Sequence, residues 1–489
     1  MIQTKRPKVE LLSAEFIEKI IDEACLLLEK QGIFVENHEA MGLLAAAGMK
    51  VDRSTQRVHL TRRLVEDSLA TTPSVIKLYD RSGLKEFVIG GDEIHFDPGS
   101  AAVSILDHKT QAERKADTAD LIRLYRLVET LENIDLQSTA LISADVPHTI
   151  ADAYRLYLGL LHSARPFITG TFRVEGFAAM RDMLIAVRGS SEELLKKPLA
   201  IFDACPSPPL KWSNLTTQSL IDAARAGQPS ELISMGLTGA TSLVTLAGTL
   251  VQHVAENLCG TVICQLAKTG APVIFGGSPA SFDMRKGTTP MGAMETMMID
   301  SAYAQIAKRL GMPTHAYMAM SDSKINDSQA GLETGMGAVL AALSGINVIS
   351  GPGMLNFEST QSLEKLVIDD EICGMAHRLV RGIEQRDEIL AVDKFEELAA
   401  GAQFLSLAHT RKWYRKEHRF PKTIDRDTYE AWVSLGRKSM EDRAAEEVEQ
   451  RLATAVGTPL EADKAVELRK IMMGYAKAMG VPSLPESGN

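Results

Sequence analysis

Short runs of apolar and β-branched residues recur at regular intervals along the middle of the chain, and a helix-like pattern follows each of them. Apolar runs of this length, bounded by turn residues, predict buried strands. The eight runs are HFDPGSAAVSILD from His95, IDLQSTALI from Ile134, PFITGT from Pro166, PLAIFD from Pro198, ELISMGL from Glu231, PVIFGG from Pro272, PTHAYM from Pro313 and NVISGPG from Asn347.

The segments between these runs carry helix boundary signals, such as a capping aspartate at Asp117 and terminal glycines at Gly270, Gly311 and Gly345. Strands that alternate with helices predict parallel βα units, and eight units are the number that closes a TIM (β/α)8 barrel. An open doubly wound sheet is the alternative, but no GxGxxG follows the first run. We therefore predict an α/β fold with an N-terminal helical extension over 1–90, a barrel over 91–362 and a C-terminal helical extension over 363–489.

Composition narrows the class of partner. The chain has 489 residues, of which 45% are hydrophobic and 24% charged, and its net charge is -10. This negative balance argues against nucleic acid and anionic membrane as partners. No apolar run approaches the roughly 20 residues that cross a bilayer, and no apolar segment follows the basic N-terminus, so we expect a cytoplasmic protein. Five cysteines without a CxxC pair predict neither a disulfide framework nor a metal site.

Three segments resemble one known family. They are VSILDHKTQAERKADTADLIRLYRLVETLENIDL (Val103–Leu136), SFDMRKGTTPMGAMETMMIDSAYAQIAKRLGMP (Ser281–Pro313), and Ser321–Phe357 followed by LEKLVIDDEICGMAHRLVRGI. Together they are similar to the trimethylamine methyltransferase superfamily over most of the chain. The resemblance implies a TIM barrel. It also implies methyl transfer from a methylated amine to the Co(I) corrinoid of a separate corrinoid protein, with no corrinoid tightly bound to this chain.

The founding members of that superfamily use pyrrolysine, whereas this sequence shows only standard residues. It therefore resembles the branch that demethylates quaternary amines, with glycine betaine as the first expectation and carnitine, butyrobetaine and proline betaine next. One departure leaves the substrate open: Ser350, in the segment ISGPGML, stands where that branch carries histidine. The segment ACPSPP from Ala204 also lacks the asparagine expected near a betaine carboxylate.

The implied chemistry selects a set of candidate binding residues. A quaternary ammonium leaves as a neutral amine, so it needs no acid catalyst, and it is held by aromatic faces and carboxylates because it has no N–H to donate. In a barrel the site lies at the carboxyl ends of the strands. The candidates for substrate binding there are Asp97, Asp203, Tyr317, Asp322, Ser350 and Phe357.

Each candidate also has a structural interpretation. Asp97 and Asp203 could cap loops, and Asp322 could cap the helix that follows it. Tyr317 and Phe357 could fill the barrel or the core, and Ser350 could serve a glycine-rich turn. The catalytic residues stay unassigned.

Other functions and partners remain open at this point. An amine-binding barrel without catalysis, a tertiary-amine demethylase and a zinc-dependent methyltransferase are the alternatives. The cobalamin fingerprint DxHxxG is absent, because Asp107 and His108 are followed by Lys109 without the required spacing. We therefore expect the corrinoid to arrive on a partner protein, and we expect the chain itself to form a homo-oligomer.

Overall fold

The computed structural model describes residues 5–399, 401, 403–455, 457 and 459–485. Its N-terminal part begins with a helix that Ser13 caps by accepting a hydrogen bond from the Phe16 amide at 3.2 Å. The elements of this part are α1 (Ala14–Lys30), β1 (Ile33–Val35), α2 (His38–Ala46), β2 (Lys50–Asp52), β3 (Arg57–His59), α3 (Arg62–Thr71), β4 (Val75–Tyr79) and β5 (Glu86–Gly90). The prediction that residues 1–90 are helical is therefore wrong in part, since the segment also carries five strands.

The middle of the chain alternates strands and helices. Its first half contains β6 (His95–Asp97), β7 (Ser104–Asp107), β8 (Ala112–Lys115), α4 (Thr118–Glu129), β9 (Gln137–Ser138), α5 (Ala151–His162), β10 (Phe167–Thr169), α6 (Gly176–Arg188), α7 (Ser191–Lys196), β11 (Ala200–Ala204), β12 (Lys211–Trp212) and α8 (Asn214–Arg225). Its second half contains β13 (Ser230–Ser234), β14 (Leu237–Thr238), α9 (Leu246–Ala267), β15 (Val273–Gly277), β16 (Ala280–Ser281), α10 (Met294–Arg309), β17 (His315–Tyr317), α11 (Ser328–Ser344) and β18 (Val348–Ser350).

The C-terminal part of the described chain is mainly helical. It contains β19 (Met354–Leu355), β20 (Thr360–Gln361), α12 (Leu363–Val380), α13 (Val392–Ala399), a 3-10 helix (Phe404–Ser406), α14 (Ala408–Glu417), α15 (Tyr429–Ser434), α16 (Met440–Thr454) and α17 (Ala462–Ala478). Residues 486–489 of the predicted extension lie outside the described residues. Helix α12 packs against α11 as well as α16, so it continues the strand–helix alternation beyond the predicted border at residue 363.

All eight predicted strand runs contain a strand, which confirms the α/β class. The strands are β6, β9, β10, β11, β13, β15, β17 and β18, and they form two parallel sheets with the orders β15-β13-β11-β10-β9 and β17-β18-β6. Two contacts connect these sheets. Phe275 forms a parallel bridge with Thr314, and the Phe96 carbonyl accepts from the Asp135 and Leu136 amides at 3.0 and 3.1 Å.

Apolar side chains fill the space between the strands at their amino ends. The antiparallel hairpin of β4 and β5 covers this end and packs its inward side chains against those of the parallel strands. The cluster consists of Ile76, Leu78, Phe87 and Ile89 from the hairpin and Leu136, Ile168, Ile201, Ile274 and Val348 from the strands. Since side chains alternate along a strand, residues two positions further on face the same interior at the carboxyl end.

None of the helices in the described part of the chain is both long enough and apolar enough to cross a membrane.

The β4–β5 hairpin allows a test of how much its inward side chains stabilise the fold. Leu78→Ala should lower the free energy of unfolding by about 2–5 kcal/mol, because Leu78 is fully buried and its truncation leaves a cavity. Val75→Ala on the outer face of the same strand, where Val75 is 47% exposed, should cost no more than about 0.5 kcal/mol. Urea denaturation followed by circular dichroism compares the two. Equal losses would show that Leu78 does not belong to an apolar core between the hairpin and the parallel strands.

Candidate functional site

Strand register brings four of the six candidate residues together at the carboxyl ends. Tyr317 pairs with Ser350, and Ser350 pairs with Asp97 on the next strand. On the other sheet Asp203 pairs with Glu231. Asp203 and Ser350 follow the inward-facing Ile201 and Val348 by two positions, so they face the same interior.

Asp97, Ser350 and His315 form a buried hydrogen-bonded chain. The Ser350 hydroxyl donates to Asp97 Oδ2 at 2.6 Å, and the Gly99 amide donates to Oδ1 at 3.0 Å. His315 Nε2 lies 3.0 Å from the same hydroxyl oxygen. Because that hydroxyl uses its proton toward Asp97, His315 donates from Nε2. Burial lowers the pKa of His315 to about 3 and raises the pKa of Asp97 to about 6, so the imidazole is neutral at pH 7.

Two further carboxyl groups in this interior have oxygens without a donor. Among the described residues, no N–H or O–H donates to Oδ1 of Asp203 or to either oxygen of Glu231. Asp203 and Glu231 lie opposite each other on adjacent strands, and Glu231 Oε1 lies 3.6 Å from His315 Nε2. Buried polar groups are normally paired, so these groups require an explanation.

The protonation of these groups follows from their burial and mutual repulsion. Burial, strengthened by the neighbouring carboxyls, raises the pKa of Glu358 to about 8. Burial and the nearby Asp97 raise the pKa of Asp203 to about 7, and the pKa of Glu231 is also raised. The acidic cluster, defined here as Asp97, Asp203, Glu231 and Glu358, therefore holds protons at neutral pH when no cation is bound.

Glu358 lies in a strained turn between β19 and β20. Asn356, Phe357 and Glu358 have φ values of 51°, 55° and 69°, three consecutive residues in the left-handed region. Asparagine tolerates this conformation, but a non-glycine residue there costs roughly 1–2 kcal/mol. The turn is held by the Asn356 amide, which donates to the Ser323 carbonyl at 2.8 Å. Strain of this kind concentrates at functional sites.

Tyr317 and two glycines border the acidic cluster. Tyr317 packs edgewise on His315, with ring centroids 4.8 Å apart, and its hydroxyl makes no hydrogen bond to the described residues. A Cβ on Gly170 would lie 3.3 Å from Asp203 Oδ2, and one on Gly276 would lie 3.0 Å from the His315 Cβ. The absence of side chains at Gly170 and Gly276 keeps space beside the carboxyls.

Asp322 and Phe357, the other two candidates, lie on the rim of a cleft of about 640 Å³ at the same end of the strands. Asp322 accepts from the Met291 and Gly292 amides at 2.9 and 3.0 Å, so it braces the loop before α10. It does not cap the following helix, because Asp327 does so. The Lys324 ammonium lies 3.9 Å above the Phe357 ring, so an internal cation already covers that aromatic face.

Three residues near this interior were not predicted from the sequence: Glu231, His315 and Glu358. Glu231 and His315 lie inside predicted strand runs, and a polar residue within an apolar strand is a usable signal for a buried site. Glu358 had no such signal, since only the left-handed turn directs its carboxyl inward.

The interior offers no activated nucleophile among its described residues. Burial and the nearby carboxylates raise the pKa of the Cys205 thiol far above neutrality, so it stays protonated. Arg155 is buried near Asp203. Its Nη1 donates to the Thr139 carbonyl at 2.5 Å and its guanidinium lies over the Phe172 ring at 4.5 Å, but its buried Nε has no hydrogen-bond partner among the described residues. No three His, Cys, Asp or Glu side chains in the described part of the chain are arranged to hold a metal ion.

Strand–helix repeats with polar residues at the strand carboxyl ends are typical of α/β enzymes. The family model described as trimethylamine methyltransferase (MTTB) matches residues 1–480. The chain therefore belongs to the trimethylamine methyltransferase family, and it is a methyltransferase.

Individual relatives agree with this assignment. The chain is 33% identical to a trimethylamine methyltransferase of Desulfitobacterium hafniense (strain DSM 10664 / DCB-2), covering 93% of this chain and 92% of that protein. It is 30% identical to a glycine betaine methyltransferase of Desulfitobacterium hafniense (strain Y51), covering 97% and 98%. The crystal structure of the Methanosarcina barkeri monomethylamine methyltransferase matches with a TM-score of 0.51 at 12% identity, covering 96% and 93%. This last likeness concerns the fold alone.

The raised pKa of Asp203 gives a test of the acidic cluster. The unfolded carboxyl loses its proton near its ordinary pKa of 3.8, while the folded one keeps it to about pH 7. The unfolded state therefore binds fewer protons over this window, and the Asp203 contribution to stability becomes more unfavourable as pH rises through it. Asp203→Asn should raise Tm relative to the parent at pH 8 and leave it unchanged near pH 4.

Thermal unfolding at both pH values measures this difference. Glu175→Gln is the matched control, because Glu175 lies after β10 at the same end of the strands and its side chain is 57% exposed. The control should show no such pH-dependent gain. A Tm of Asp203→Asn below that of the parent at pH 8 would contradict the assignment of Asp203 to a donor-poor acidic cluster.

Proposed function

We propose that this chain transfers a methyl group from a small quaternary amine to the Co(I) corrinoid of a separate corrinoid protein. The observation that carries the proposal is the acidic cluster, in which Asp203 Oδ1 and both oxygens of Glu231 are buried without a protein donor and the aromatic ring of Tyr317 lies alongside. A quaternary ammonium is held by such carboxylates and aromatic faces, and it needs no hydrogen-bond acceptor. Family membership supplies the reaction class.

The proposal includes a closed (β/α)8 barrel around this cluster. The order of the eight strands and the contacts at both sheet junctions support closure, because each junction brings adjacent strands within backbone hydrogen-bonding distance. The β4–β5 hairpin and its apolar cluster fill the interior at the amino ends of the strands, so the entrance lies at the carboxyl ends. Substrate and partner would therefore reach the cluster from one side.

The residues of the cluster bind and orient the amine in this proposal. As the ammonium enters, the acidic cluster releases a proton to solvent, and the resulting negative charge stabilises the bound cation. His315 and Ser350 stay fixed beneath, holding Asp97 in one orientation. Tyr317 contributes an aromatic face. The substrate departs as a neutral amine after losing its methyl group, so these carboxyls lose their counter-charge and product release is favoured.

A Co(I) corrinoid, carried by a partner protein, would supply the nucleophile that this site lacks. The residues of the site fit a nucleophile that comes from outside the chain, because the Cys205 thiol is protonated and the Ser350 hydroxyl is hydrogen-bonded to Asp97. Apolar side chains at the rim fit a docking protein. Leu243, Val244 and Met284 are each more than three-fifths exposed near the cleft.

A methyl-transfer assay tests the proposal. We incubate the protein with Co(I) cobalamin and a panel of quaternary amines, including glycine betaine and choline, and follow loss of the Co(I) absorbance and formation of the demethylated amine by mass spectrometry. At least one quaternary amine should react. Asp203→Asn should lower kcat/KM by about 10- to 100-fold, the effect of losing one charged contact, while Glu175→Gln should retain parental activity.

The alternatives give different results in the same assay. Binding of amines without any demethylation would favour an amine-binding protein, and reaction of trimethylamine alone would favour a tertiary-amine demethylase. Either result would contradict the proposed function.

A further inference from the structure

We infer that the cleft at the rim contains a binding position for a small protonated amine, formed by the face of the Phe357 ring and the carbonyl oxygen of Asp322. In the structure the side chain of Lys324 occupies this position with its own ammonium group. An amine from solution binds there by displacing that side chain. The position consists of other residues than the acidic cluster, and its existence does not depend on the proposed function.

The first argument is the way in which the structure holds the Lys324 ammonium. Its Nζ lies 3.9 Å from the centroid of the Phe357 ring and donates to the Asp322 carbonyl at 2.6 Å. An aromatic face attracts a cation that lies within about 6 Å of its centroid. A hydrogen bond from a charged donor is also stronger than one from a neutral donor. The ring and the carbonyl oxygen together therefore form a receptor for an ammonium ion, and Lys324 already uses it.

The second argument is the strained backbone that carries the Phe357 ring. Phe357 has a φ of 55° in the left-handed turn 356–358, a conformation that a bulky side chain rarely adopts. The Asn356 amide donates to the Ser323 carbonyl at 2.8 Å, and this contact joins the turn to the segment that carries Lys324. Strain of this kind clusters at functional sites. Here it holds one aromatic ring at the edge of an open cleft of about 640 Å³.

The third argument is the charge and the openness of the cleft. Its described lining residues include four carboxyl side chains but only two cationic ones, Arg285 and Lys324. Arg285 is already ion-paired with Asp283 at 2.8 Å. Lys324 is exposed, so its flexible side chain can move into solvent when another cation takes its place. The lining then keeps an excess of negative charge, which favours an incoming ammonium ion.

The hydrogen bond to the Asp322 carbonyl selects the class of ligand. The 2.6 Å between that oxygen and the Lys324 nitrogen requires an N–H between them. A methyl group in its place would hold the nitrogen further away, because its carbon stays about 3.3–3.6 Å from a carbonyl oxygen. The ligand is therefore an alkylammonium ion with at least one N–H. The demethylated product of the reaction joins this class once it has taken a proton from water, and this link alone rests on the proposed function.

Trimethylammonium and tetramethylammonium form a matched pair of ligands for this test, since they differ only in one N–H against one methyl group. We measure their Kd values near pH 7 by ligand-observed NMR for the full-length parent and for Lys324→Ala and Lys324→Ser. Both variants should bind trimethylammonium at least about fivefold more tightly than the parent, because the position has lost its internal occupant. The Kd of tetramethylammonium should change by less than about twofold, because this ion has no N–H for the carbonyl.

Two further variants control for charge and for the aromatic ring. Lys286 is exposed, and its amide donates to the carbonyl of Asp283, which lines the cleft. Lys286→Ala removes one positive charge nearby and should leave both Kd values within about twofold of the parent. Adding Phe357→Leu to Lys324→Ala should abolish the gain in affinity. All variants retain the acidic cluster, so a difference in Kd between them arises at the cleft.

Each outcome decides the inference. An unchanged Kd of trimethylammonium in a folded Lys324 variant overturns it, and so does an equal gain in Lys286→Ala or an equal gain for tetramethylammonium. Methyl transfer is measured separately. If the parent demethylates a quaternary amine but the Lys324 variants show no gain, this inference alone fails. If the variants show the gain but no quaternary amine is demethylated, the proposed function alone fails.

Discussion

Burying several carboxyl groups without hydrogen-bond donors is the constraint on which the rest of this structure depends. An ionised carboxylate in a low-dielectric interior is so unfavourable that the group keeps a proton until a cation arrives. Asp203 and Glu231 meet this condition together, because they lie opposite each other on adjacent strands and Asp203 Oδ1 and both oxygens of Glu231 have no hydrogen-bond partner among the described residues. A permanent cation is the ligand that relieves this condition most directly.

The amino ends of the parallel strands contain an apolar core, and their carboxyl ends contain the candidate site. At the amino ends, the β4–β5 hairpin and five strands bury a cluster composed wholly of apolar side chains. At the carboxyl ends, the interior positions hold carboxyls, a neutral histidine and glycines. Burial of the apolar cluster stabilises the fold and offsets the destabilising burial of unpaired polar groups at the other end. Functional sites are commonly less stable than the rest of a protein.

The site is arranged for binding and orientation and contains no reactive group of its own. His315 and Ser350 fix Asp97 by hydrogen bonds, and the register of the strands fixes Tyr317 beside them. The Cys205 thiol is protonated. Such a site is suited to a reaction in which the leaving group is already activated by its positive charge and the methyl acceptor comes with another molecule.

The sequence by itself determined the strand–helix repeat. Each predicted strand run contains a strand, because buried parallel strands require continuous apolar residues and the flanking turns require glycine, proline or a capping side chain. The sequence also placed Asp97, Asp203, Tyr317 and Ser350 at strand ends, since the carboxyl end of a strand is a local property. The N-terminal strands were missed, because β1 to β3 are three residues each and depend on pairing with one another and with β12.

Only the tertiary structure decided which of these residues share one environment. Strand register set Asp203 beside Glu231 and Ser350 beside Asp97, and register depends on contacts between distant parts of the chain. The left-handed turn brought Glu358 inward, while Asp322 and Phe357 were held on the rim by contacts with Met291, Gly292 and Lys324. The pKa of a carboxyl follows from burial and neighbours, so no local pattern in the sequence could have shown that these carboxyls hold protons at neutral pH.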